Sequence, residues 1–234
     1  MDVGEFAKIV RPHTISNKNY SKILGIGSNK TGTTTLEYVL KVYGLSLPIQ
    51  QEQEVALVKQ FFEGNYDPFK RFVEKYDAFQ DLPFSIRHSY IVCDALFSNS
   101  KFILTIRDPE TWFESVCNYN AKSFYGVDDI GKLTEEDIKT KFKLYDGYVY
   151  ENVKRRLTTV ENGNIVVRWD LLFNKDYDIR QYKQIIYDII MYFVNRYNDF
   201  LIIDVTEENT TIKITKFLEI PDQYSIDMPH RNKS

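Results

Sequence analysis

The chain has little that would tie it to an oxidising compartment, a bilayer or a polyanion. Only two cysteines, Cys93 and Cys117, occur in 234 residues, and no metal-like spacing joins them. That usage points to a reducing compartment and to two small buried hydrophobes. No apolar run approaches the roughly 20 residues needed to span a bilayer. Residues 1–21 carry Asp2, Glu5, Lys8 and Arg11 among few apolar side chains, which is not a signal-peptide pattern. Net charge is only −3, from 30 basic and 33 acidic residues, so no broad field is available to hold nucleic acid. Repeats and low-complexity tracts are missing too. These absences lead to the expectation of a cytoplasmic, soluble protein with neither nucleic acid nor membrane as partner.

What is present suits one α/β domain spanning residues 1–234. Apolar residues make up 43% and aromatics 15%, enough for a sizeable core with some rings left over to line a pocket. Residues 1–20 read as an irregular arm. Lys22–Gly27 reads as a short buried strand, followed by a helix carrying Leu36, Val39, Leu40 and Tyr43 and ending near Gly44. Helical patterns cover 50–63, 68–76 and 86–98, with a short strand at Asp77–Gln80. The strand Lys101–Ile106 leads to Pro109, which fits the first turn of a helix running to about Cys117. Residues 119–160 are rich in tyrosine and charge and include the helix-start signal Thr134-Glu-Glu-Asp137, so they read as a helical insertion over the domain. Two later strand candidates, Asn164–Trp169 and Phe200–Val205, flank a long helix over Arg180–Tyr197. A last helix covers about 209–218. Strands alternating with helices predict a three-layer fold, a central parallel sheet with helices on both faces and its site at the carboxyl ends of the strands.

The first such end is Gly25-Ile-Gly-Ser-Asn-Lys-Thr-Gly-Thr-Thr-Thr35. Gly27 and Gly32 have the spacing of a phosphate loop, but Thr33, not lysine, follows Gly32; the lysine is Lys30. A glycine lets backbone approach an anion, and a helix N-terminus supplies N–H donors and partial positive charge. A Gly/Thr helix cap would use the same residues. The moved lysine speaks against a nucleotide kinase, which needs that charge and a metal-binding hydroxyl beside a phosphoryl group. A sulfuryl group carries less charge and is managed without metal.

Lys30-Thr-Gly-Thr-Thr34 resembles the Lys-Ser-Gly-Thr-Thr loop of sulfotransferases that use 3′-phosphoadenosine-5′-phosphosulfate (PAPS). The resemblance implies that this loop holds the 5′-phosphosulfate of the donor, with Asn29, Lys30, Thr31, Gly32, Thr33, Thr34 and Thr35 as donor-binding residues, Lys30 on the bridging oxygen, and Thr33 and Thr34 on the 5′-phosphate. Thr35 stands where many cytosolic members stack a tryptophan on adenine. At the second strand end, Arg107-Asp-Pro109 is followed by Ser115. An arginine fork suits a phosphate, although Asp108 or Glu110 would also pair with it. The segment resembles the family's Arg-x-Pro-x-x-x-x-x-Ser, whose Arg and Ser bind the donor's 3′-phosphate. The tail Met228-Pro-His-Arg-Asn-Lys233 resembles a terminal motif of one branch. No Arg-Lys-Gly clamp is present, which leaves Arg231 and Lys233 as its substitutes.

Transfer to a hydroxyl also needs a general base. Asp81 in Gln80-Asp-Leu-Pro83 takes the place of the histidine in the family's Thr-His-Leu-Pro, so the resemblance makes it the base. The residues alone allow two other uses for it, capping a helix near Ser85 or pairing with Lys30, and His88 is a rival base. The resemblance thus implies a PAPS-dependent sulfotransferase acting on a small-molecule, glycan or peptide acceptor. A P-loop kinase or NTPase, with Asp204 holding Mg²⁺, and a non-catalytic nucleotide-binding module are the alternatives.

Overall fold

Successive side chains of a strand point to opposite faces, so a strand buried on both sides must be apolar at every position. Ile23-Leu-Gly25 and Lys101-Phe-Ile-Leu-Thr-Ile106 meet that demand nearly throughout. In the computed structural model, which describes residues 18–227 and positions 5, 8, 9 and 11 ahead of them, they form the centre of a four-stranded sheet. The strands are β1 (Ile23–Gly25), β2 (Ala78–Phe79), β3 (Lys101–Ile106) and β6 (Phe200–Asp204), all parallel, in the order β2-β1-β3-β6. The chain divides into two compact units, Met1–Arg107 with Ile185–Ser234, and Asp108–Gln184. The sheet belongs to the first.

Helices cover both faces of this sheet. On one, Leu36, Val39 and Leu40 of α1 (Thr33–Val42) and Ile214 of α9 (Thr210–Phe217) pack with Ile23, Ala78, Ile103 and Ile203. On the other, the strand residues are Leu24, Phe79, Phe102 and Leu104. They meet Leu57 of α2 (Gln50–Phe62), Phe69 of α3 (Tyr66–Val73), Cys93 of α4 (Ser89–Leu96), and Ile189 of α8 (Lys175–Tyr192) with Phe193 just beyond it. The alternation of strand residues between the two clusters is the three-layer arrangement expected from the sequence. Burial pushes the Cys93 thiol well up, as fits a packing residue. Among the described residues, no helix is long and apolar enough to cross a membrane.

The second unit contains α5 (Pro109–Asn118), a π-helical turn over Tyr119–Tyr125, α6 (Glu135–Thr140) and α7 (Tyr148–Leu157). Asp108 caps α5, accepting from the Thr111 amide at 2.9 Å, with Pro109 in the first turn as expected. The Thr134–Asp137 signal is a full capping box. One expectation fails here. Asn164–Trp169 does not extend the parallel sheet. Its Asn164–Val167 part, β5, pairs antiparallel with β4 (Thr158–Glu161). Asn162 and Gly163 join them with φ of 50° and 79°. Two left-handed residues give the tight turn whose twist matches a hairpin, and Asn-Gly is the pair that adopts it most readily.

The second face is held by aromatic packing. Phe193 is 1% exposed and lies 4.8 Å from the Phe102 ring and 4.7 Å from Phe200, centroid to centroid. Phe193→Ala should lower the unfolding free energy by about 3–5 kcal/mol through lost contacts and the cavity left behind. Urea denaturation followed by tryptophan fluorescence measures it. A loss below about 1 kcal/mol would mean that the face repacks freely.

Candidate functional site

Because the four strands run parallel, their carboxyl ends lie along one edge, where such sheets place their ligands. The order β2-β1-β3 then sets three connections side by side: the turn holding Asp81, the loop holding Lys30, and Arg107. Residues far apart in sequence are brought together by strand order alone.

The loop after β1 is laid directly on β3. A Cβ on Gly27 would meet the Thr105 backbone oxygen at 2.6 Å and nitrogen at 2.8 Å, closer than real Cβ atoms come, and would also strike the Thr105 hydroxyl. The Thr31 hydroxyl is 2.6 Å from Thr105 Oγ1 and donates to the Ser28 oxygen at 2.5 Å. Thr31 and Thr105 are each 1% exposed. Thr31 is therefore the loop's internal brace. Gly32, at φ 95°, opens α1, and a side chain there would run into Val205. No acidic residue sits in the first turn of α1, and no side chain caps it. Thr33 and Thr35 are buried and Thr34 is exposed. Asn29 accepts from Ser85 Oγ at 3.0 Å, tying the loop to the turn after β2.

Two cations meet at this edge. Arg107 donates to the Lys30 carbonyl at 3.4 Å. Burial lowers the Lys30 pKa below the ordinary lysine value, the Arg107 guanidinium lowers it further, and the Asp81 carboxylate pulls it partly back. A lysine pushed toward neutrality beside an arginine is a place where a bound anion regains energy. Asp81 is 8% exposed with φ 62°. It does not cap a helix near Ser85. Residues 82–88 form turns, α4 starts only at Ser89, and the Asp81 carboxylate accepts from the Leu82 amide at 3.0 Å and from Gln50 Nε2 at 3.1 Å. His88 is exposed, with φ 68°, at the residue before α4.

Ser115 is a buried residue of α5 and so belongs to the second unit. The acids beside Arg107 in sequence have other uses: Asp108 caps α5, and Glu110 pairs with Lys175. Arg231 and Lys233 fall outside the described residues. Asp204, at the end of β6, accepts on one oxygen from the Thr206 amide at 2.8 Å and the Thr206 hydroxyl at 2.7 Å, closing a turn. Among the described residues no three His, Cys, Asp or Glu side chains gather in a metal-holding group. Sequence reasoning missed Gln50, Gln53 and Glu54 of α2. The sign was there: polar residues occupy the stripe that Leu57 and Val58 continue.

A parallel sheet whose first strand runs through a glycine-bearing loop into a helix N-terminus is the α/β arrangement in which phosphate loops are found. Within that arrangement the family is shown: a family model described as "Sulfotransferase domain" matches residues 22–234, and the chain belongs to that family. The match supports sulfuryl transfer as the general activity. No curated protein matches the chain significantly.

The close approach at Gly27 is testable without substrate. Gly27→Ala should cost about 1–3 kcal/mol, because β3 backbone cannot yield as a flexible side chain would. Chemical denaturation should show the loss, and an unchanged midpoint would mean that the loop lifts off β3 at little cost.

Proposed function

We propose that the protein transfers a sulfuryl group from PAPS to a hydroxyl or amine of an acceptor, without a divalent metal. The observation that carries this reading is the Lys30–Arg107 cation pair at neighbouring strand ends, beside a helix N-terminus free of acidic residues. It supports a ligand with anionic groups at two positions. In this reading the α1 N-terminus, Thr33 and Thr34 hold the 5′-phosphate, and Arg107 holds the 3′-phosphate that distinguishes PAPS from simpler nucleotides.

The chemistry is one displacement. The acceptor oxygen attacks sulfur, the S–O bond to the 5′-phosphate breaks, and its electron pair leaves on the bridging oxygen. Negative charge grows on that oxygen, so a lysine held there acts mainly in the transition state. Asp81 takes the acceptor proton. Its carboxylate is buried and oriented, whereas His88 is exposed, which favours Asp81 as the base.

Calorimetry with 3′-phosphoadenosine-5′-phosphate (PAP), the donor product, tests the donor in EDTA. Arg107→Ala should weaken binding by about 2–4 kcal/mol, the usual loss for a truncated charge pair. Equal wild-type affinity for adenosine 5′-phosphosulfate, which lacks the 3′-phosphate, would overturn the assignment, as would tighter binding of ATP with Mg²⁺.

The same titration has a pH signature. Protonated Lys30 attracts the phosphate, and neutral Lys30 does not. With its pKa lowered by burial and by Arg107, Lys30 loses its proton below the ordinary lysine range. PAP affinity should therefore fall as pH rises through that lowered pKa, and Lys30→Met should flatten the fall. In turnover, Lys30→Ala should lower kcat by about 10²–10³-fold, with a smaller loss of PAP affinity. An unchanged kcat with a raised KM would make Lys30 a binding residue only.

A further inference from the structure

The buried stripe of α2 begins with two polar residues where a core helix would carry leucine or valine. Gln53 is 2% exposed and Glu54 is 7% exposed, and Gln50 lies one turn ahead of Glu54. Burying an amide and a carboxylate is costly unless hydrogen bonds replace those to water. Here the two glutamines spend theirs on the turn after β2, and Glu54 accepts from Gln50. Gln53 Nε2 donates to the Gln80 oxygen at 2.7 Å and the Leu82 oxygen at 2.6 Å, so one side chain clasps the backbone on both sides of Asp81. Gln50 Nε2 donates to Asp81 Oδ2 at 3.1 Å and to Glu54 Oε1 at 2.9 Å. Asp81 Oδ1 accepts from the Leu82 amide at 3.0 Å.

We propose that Gln50 is the positioning residue of Asp81, and that Glu54 sets which edge of the Gln50 amide faces it. This rests on Asp81 being the base. With a donor on each oxygen, the plane of the Asp81 carboxylate is fixed in both rotation and tilt. The Gln50 amide has a donor edge and an acceptor edge. Turned the other way, its carbonyl would face two carboxylates, so Glu54 holds the N–H edge toward Asp81. A base whose oxygen must meet an acceptor proton within hydrogen-bond reach gains from a carboxylate that orients the amide beside it.

The test uses water as acceptor, reading release of labelled sulfate from PAPS, with PAP affinity as the check on folding and donor binding. Gln50→Leu fills the same space without a donor. It should lower turnover about 10- to 100-fold, as a misplaced catalytic group does, with KM for PAPS within about two-fold of wild type. Glu54→Gln, which keeps the shape but lets the Gln50 amide face either way, should give a smaller loss. The decisive arm is Gln50→Leu in an Asp81→Asn background. A residue acting only through Asp81 adds no further loss there. Additive losses, or full turnover in Gln50→Leu while Asp81→Asn is impaired, would overturn the positioning role and leave the base assignment standing. Full turnover in Asp81→Asn would overturn the base assignment itself, and the positioning role with it.

Discussion

Everything at the candidate site depends on how close the loop after β1 comes to β3. Gly27 lies against Thr105 backbone with no room for a methyl group, and the paired hydroxyls of Thr31 and Thr105 close the gap beyond it. This contact turns a flexible connection into a platform. It aims the first turn of α1 along the sheet edge and fixes the Lys30 carbonyl that Arg107 contacts. Thr31, placed by resemblance among the donor-binding residues, holds this platform through its buried hydroxyl. Thr33, Thr34 and the backbone of the first turn remain the groups suited to a phosphate.

On this platform two kinds of electrostatics meet. Burial and the Arg107 guanidinium both disfavour the charged form of Lys30, and the Asp81 carboxylate partly offsets them. Asp81, on the far side of Lys30 in strand order, sits among amides from α2. Strand order β2-β1-β3 thus lays out acid, loop and arginine in a row. A sheet wound in another order would carry the same motifs in sequence and separate them in space.

The sheet, its strand order of burial and most helix positions were legible, because apolar periodicity and proline, glycine and threonine signals all pointed the same way. The strand Lys101–Ile106 and the capping at Pro109 and Thr134 agree with the sequence reading residue for residue. Asn164–Val167 was misplaced, because a short β-branched run looks alike in a parallel sheet and in a hairpin. The Asn162-Gly163 turn ahead of it was the discriminating signal. At the candidate site, charged and glycine residues singled out Lys30, Asp81 and Arg107, which lie at neighbouring strand ends. Gln50, Gln53 and Glu54 stayed hidden, since polar residues in an amphipathic helix read as its solvent face until the partner turn is known. Sequence alone also gave no means of telling Thr31, buried as a brace, from Thr34, exposed beside it.

Strands β3 and β6 are hydrogen-bonded neighbours over five residue pairs, yet everything from Arg107 to Asp199 lies between them in sequence. Closing so long a loop carries an entropic cost that must be met before the pairing returns anything. A ribosome releases β1, β2 and β3 well before β6 exists. Until then the outer edge of β3 offers unpaired backbone and the half-covered rings of Phe102 and its neighbours. Such an open edge is where a nascent chain is most exposed to pairing with another copy. The stretch that separates the two strands contains the whole second unit, so its speed of collapse governs how long that exposure lasts.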